Sequence, residues 1–135
     1  MPVIRNTPDA STFNAAASLP YELRLEDFRL AIQDVYDFFD DVNTGLVAKG
    51  LDRLDETLRP AIMSGVLSDM LTASLAKHSL TLVVNCFFNG YPDLVVKGRY
   101  ADNSIKNARG ELGTRTATLH AQGIAKLRSN WIYRV

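Results

Sequence analysis

Cysteine is almost missing from this sequence. Cys86 stands alone among 135 residues, so an internal disulfide is excluded and the fold must be held by packing and hydrogen bonds; a single thiol also fits a reducing compartment. Long apolar runs are missing as well. No stretch approaches the roughly 20 residues of a membrane span, and the segment from Met1 to Ser11 has no apolar core of the kind a signal peptide carries, so the expectation is a cytoplasmic protein. Histidine is scarce: His78 and His120 are the two, and neither stands in a ligand spacing that zinc uses. There is no Gly-rich phosphate loop and no nucleophile elbow. These absences exclude the common nucleotide-binding, hydrolase and zinc signatures.

What is present is ordinary in amount and uneven in placement. Hydrophobic residues make up 47% and charged residues 22%, near globular averages, and the length suits a single domain over 1–135. The net charge is zero, but residues 1–96 carry 13 acidic and 7 basic side chains, whereas residues 97–135 carry 2 and 8. A basic segment of this kind attracts phosphate, although a solvated tail has the same composition.

Along the chain, residues 1–19 show no period and read as a loose N-terminal arm. Residues 20–79 read as helical. Leu25, Phe28, Ile32, Val35, Phe39 and Val42 recur at steps of three and four, the period of an amphipathic helix, with Glu26 and Asp27 in the first turn and Asn43 and Gly45 as stop or kink signals. Asp34, Asp37, Asp40 and Asp41 lie mostly on the other faces, as a solvated surface or a metal cluster. A short charged helix is expected over Gly50–Arg59, ended by Pro60, and another over 66–78, capped by Ser64 or Ser68. Thr81–Phe88 is rich in β-branched and aromatic residues and reads as a strand. Asn89-Gly90 is a turn signal, Asp93–Lys97 a second strand, and the two form a hairpin within residues 80–108. Residues 109–135 keep no clean period and form an atypical basic tail. The expected class is α+β: a helical N-terminal part followed by a small sheet.

Asp93 is the residue whose chemistry is least explained by folding. A carboxylate at the entry of an apolar strand is held in a defined place, and a hard cation such as Mg²⁺ uses such oxygen ligands; an Asx turn is the structural alternative. Cys86, within the apolar strand, is expected to be buried and inert, and His78 to face the negative end of its helix.

The stretch Asn89-Gly90-Tyr91-Pro92-Asp93-Leu94-Val95-Val96, placed after a helix and a strand, resembles the PD-(D/E)xK nuclease superfamily, the restriction-endonuclease-like proteins. The resemblance covers about residues 20–108 and implies an incomplete restriction-endonuclease-like core. It further implies a Mg²⁺-dependent endonuclease acting on DNA. Asp93 would be a catalytic metal ligand, with Glu111 as the second and Asp69 as the acid from the preceding helix. Phosphodiester hydrolysis needs a metal-activated water and a lysine beside it. In Glu111-Leu112-Gly113 glycine holds the lysine position, so Lys106 is the stand-in, and impaired or absent activity is implied. Lys97, Arg99, Arg109 and Arg115 would contact backbone phosphates. The break in pattern near Arg109-Gly110 fits a diverged or frame-shifted tail. The competing reading is a non-catalytic interaction or DNA-binding module, in which the 25–42 stripe can also serve a partner helix or a homodimer.

Overall fold

The computed structural model describes residues 3–108. Within them lie α1 (Leu25–Ala48), α2 (Leu54–Thr57), α3 (Pro60–His78), β1 (Leu82–Val84) and β2 (Leu94–Val96), which makes the class α+β. The chain divides into two units, one ending at Ser79 and the other beginning at Leu80. No helix among the described residues is long and apolar enough to cross a membrane.

In the first unit α1 packs against α3. The buried line of α1 is Asp27, Ala31, Val35, Phe39 and Asn43, and α3 contributes Leu67, Leu71 and Leu75. Both lines advance by four residues, the spacing of one of the ridges by which helices interlock. The hydropathic stripe shares only Val35 and Phe39 with this seam; Leu25, Phe28, Ile32 and Val42 flank it, half-buried. The seam is drawn by a small residue in the middle and polar residues at its ends, and both ends are hydrogen-bonded, as burial of polar groups requires. Asp27, 1% exposed, accepts from the Arg24 backbone N–H at 2.9 Å and from the Arg24 guanidinium, closing the first turn of α1. Asn43 accepts from the Leu54 N–H at 2.8 Å, the first N–H of α2, and donates to Asp55 at 2.8 Å.

The helix boundaries differ from expectation for identifiable reasons. α1 runs through Asn43 and Gly45, because Asn43 is engaged with α2 and a side chain at Gly45 would meet open space. It stops at Gly50, whose φ of 72° is left-handed while its N–H and that of Leu51 return to Val47 and Leu46, a glycine-terminated helix end. Only Leu54–Thr57 of the expected 50–59 helix forms. Pro60 opens α3 rather than merely closing the segment before it: proline lacks an N–H that the first helical turn would leave unpaired anyway. α3 therefore starts before Ser64.

In the second unit β1 and β2 pair antiparallel, with Leu82 opposite Val96, Val83 opposite Val95 and Val84 opposite Leu94. Leu82, Leu94 and Val95 are buried. The ladder is shorter than the expected 81–88 and 93–97 runs. It ends at Asn85, where the side chain takes over the hydrogen bonding that a longer ladder would supply.

Candidate functional site: the Pro92-Asp93 turn

Asn85 organises the turn that carries the singled-out motif. It is 9% exposed and uses both ends of its amide. Nδ2 donates to the Pro92 carbonyl at 2.9 Å and to the Ile105 carbonyl at 2.8 Å, while Oδ1 accepts from the Phe87 and Ile105 N–H groups, both at 3.0 Å. Its own N–H donates to the Asp93 carbonyl at 2.8 Å. One side chain thus ties the loop after β1, the entry to β2 and the segment around Ile105 together. A second amide continues the pattern: the Asn103 carbonyl accepts from Cys86 N–H and its Oδ1 from Gly98 N–H.

Gly90 is explained by space. A Cβ there would lie 2.5 Å from Asn85 Nδ2 and 2.5 Å from the Ile105 carbonyl oxygen, closer than side-chain atoms approach. The left-handed residue of the Asn89-Gly90 pair is Asn89, at φ 53°, a conformation asparagine tolerates. Tyr91 then runs extended alongside Asn107, its N–H donating to the Lys106 carbonyl at 3.1 Å and its carbonyl accepting from Ala108 N–H at 2.9 Å.

The backbone of Asp93 is therefore fixed while its carboxylate is exposed and makes no hydrogen bond or ion pair among the described residues. The Asx turn is not formed; Asn85 does that work. Lys97, Arg99 and Lys106 are exposed on the same unit, Lys97 and Arg99 flanking Gly98, whose φ is 76°. Asp69 is exposed midway along α3 in the helical unit. Glu111, Arg109 and Arg115 lie outside the described residues. No group of three His, Cys, Asp or Glu side chains gathers among the described residues. Asp93 offers one carboxylate where a hydrolytic Mg²⁺ needs at least two such ligands in this pattern, so the described residues alone do not fit that ion.

Other candidate groups resolve differently. Cys86 is exposed, not buried, because β1 ends at Val84, two residues before it. The acids of α1 are paired: Arg5 donates to Asp40 at 3.2 Å and to Asp41 at 3.3 Å and lies 3.7 Å from Asp37. Asp34 takes Lys77 at 3.0 Å and His78 at 2.8 Å on one oxygen, so His78 meets a side chain of α1 and not only the end of its own helix. Burial pushes the Asp34 carboxyl up, but the hydrogen bonds and charges of Lys77 and His78 outweigh it and the net displacement is downward. Asp27 behaves alike: burial raises it, the side-chain and backbone hydrogen bonds of Arg24 lower it, and the balance is below the ordinary carboxylate value.

Asn85 and Asn103 are the residues a motif search passes over. Their signal in the sequence is slight: an amide interrupting an apolar run at Asn85, and a polar loop at Asn103. No protein-family model matches the chain, and no curated protein and no solved structure matches it significantly.

Proposed function

We propose that the chain is a DNA-binding module of restriction-endonuclease-like descent, holding the nucleic-acid backbone through Lys97, Arg99 and Lys106. The observation that carries this reading is a run of three exposed cations, Lys97, Arg99 and Lys106, within ten residues of the hairpin unit. In the helical unit Arg5, Arg24, Arg29, Arg53 and Lys77 are each held by a carboxylate, and Lys49 and Arg59 are exposed outside those pairs. Lys97 and Lys106 are exposed and form no ion pair among the described residues. A lysine without an internal carboxylate keeps its charge available to phosphate. Arg109 and Arg115 extend the same basic composition. Three phosphate contacts give a binding constant that falls with salt at a log–log slope of about −2 to −3.

A second reading, the Mg²⁺-dependent endonuclease itself, is favoured by Asp93, whose backbone is fixed and whose carboxylate no described residue holds. It requires Glu111 as the second ligand and Lys106 as the lysine. One experiment separates the two: DNA binding and plasmid nicking measured with Mg²⁺ and with EDTA, on the unaltered chain and on Asp93→Asn. The binding module gives salt-sensitive binding, no nicking, and no loss of binding in Asp93→Asn. Mg²⁺-dependent nicking abolished by Asp93→Asn establishes the endonuclease instead. Nicking that survives Asp93→Asn removes that residue from the mechanism, and no binding at low salt removes the DNA reading.

A further inference from the structure

The loop between β1 and β2 carries an exposed apolar cluster that neither the Asp93 site nor the cations account for. Phe88 is 86% exposed, and Val84, Phe87 and Tyr91 are exposed with it. Single exposed apolar residues are common on protein surfaces, but here Phe87, Phe88 and Tyr91 lie within five positions of one loop, with Val84 at the end of β1 before it. The loop is also pinned. Asn85 holds Phe87 N–H on one side and Ile105 on the other, Gly90 N–H returns to the Phe87 carbonyl at 2.9 Å, and Tyr91 pairs with the backbone of Lys106 and Ala108. The exposed aromatic residues therefore sit on a backbone held at several points, with Lys106 on the segment bonded to Tyr91.

Exposed aromatic side chains on a segment paired with one that carries a lysine are groups single-stranded nucleic acid uses: bases stack on the rings while cations follow the phosphates. Duplex DNA has its bases already stacked and offers the rings nothing comparable. We infer that the preferred ligand of this unit is single-stranded nucleic acid, with Phe88 as the principal stacking residue, Phe87 and Tyr91 beside it, and Lys106 on the adjoining phosphate. This rests on the DNA-binding reading and specifies its ligand class.

The test is fluorescence anisotropy with labelled oligothymidylate of about ten nucleotides, within the site sizes such surfaces cover, against a hairpin duplex of equal charge. The unaltered chain should favour the single strand. Phe88→Ala should weaken that binding about ten-fold, Phe88→Trp should restore it, and neither should alter duplex binding. Because Phe88 is exposed, unchanged circular dichroism is expected for both variants. Duplex bound as well as single strand, with both indifferent to Phe88→Ala, overturns the stacking inference and leaves the DNA-binding reading intact. Binding to neither overturns both. Sedimentation that shows a dimer of the unaltered chain, lost in Phe88→Ala, assigns the patch to a second copy of the chain and overturns the inference.

Discussion

In the helical unit Arg5 reaches Asp37, Asp40 and Asp41, Arg24 folds back onto Asp27, and Lys77 and His78 share Asp34. In the hairpin unit the links are made by neutral amides, Asn85 and Asn103, while Asp93, Lys97 and Lys106 stay outside every ion pair among the described residues. The difference has a physical reason. A two-stranded ladder of three residues each cannot satisfy the loops around it, and such a hairpin is marginal by itself. An amide has donors and acceptors at once and can replace several backbone partners without introducing a net charge. Asp93, Lys97 and Lys106 are thereby left for solvent or a ligand, whereas in the helical unit Arg5 and Lys77 tie the N-terminal segment and α3 to α1.

Removing the central amide should produce the largest effect. Asn85→Ala strips partners from the Pro92 and Ile105 carbonyls and from the Phe87 and Ile105 N–H groups, and groups left unpaired and buried cost on the order of 3 kcal/mol together or more. Hydrogen exchange should show lost protection at the Tyr91 and Ala108 amides. Protection equal to that of the unaltered chain would mean the amide is not what holds the unit.

Two glycines sharpen the same point at the next level. Gly90→Ala drives a methyl into Asn85 and Ile105 and should cost about 1–3 kcal/mol through overpacking. Gly98→Ala meets open space and pays only for its left-handed backbone, about 1 kcal/mol. Denaturant midpoints compare them. Equal costs would reduce Gly90 to a matter of backbone conformation.

These positions also mark how far the sequence could be read. The helix–helix–hairpin order was legible, because the apolar steps of three and four mark α1 and short runs of β-branched and aromatic residues beside turn signals mark the strands. So was the turn at Asn89-Gly90. The seam of α1 was not, since Asp27 and Asn43 are polar and a hydropathic stripe leaves them out; they are buried because each completes hydrogen bonds at a helix start. Pro60 was ambiguous, since proline both closes one segment and opens the next. In the candidate site, Asp93 stood out from sequence because a carboxylate at the entry of an apolar strand is little explained by folding, but Asn85 did not, because its four partners lie up to 20 residues away. Sequence distance conceals a hub of that kind.

In the helical unit Asn43→Ala is the corresponding probe, with a smaller effect. It removes the acceptor for the Leu54 N–H and the donor to Asp55, and loss of such a cap costs about 1 to 2 kcal/mol. Asp55 retains Arg53 at 2.8 Å, which limits the damage. Urea denaturation followed by circular dichroism gives the value; a cost as large as that of Asn85→Ala would erase the contrast between an amide as hub and an amide as cap.

The smallest effect is the one that depends on pH. The Asp34 carboxyl lies below its ordinary value in the folded chain, despite a burial penalty that raises it, because Lys77 and His78 hold its charged form. A carboxylate lowered on folding contributes stability above its unfolded pKa of about 3.9 and loses it as pH falls through the folded value. Lys77 is largely exposed, so solvent screens its share and the contribution is on the order of 1 kcal/mol. Asp34→Asn should therefore lower the midpoint of thermal unfolding at neutral pH and lose that deficit below about pH 4. Asp27, lowered through Arg24, titrates in the same acid range but is present in both chains, so the difference between them isolates Asp34. A deficit that persists unchanged into acid would assign the loss to the shape of the side chain rather than to its charge, and the ion pair between α1 and α3 would then be a contact without electrostatic weight.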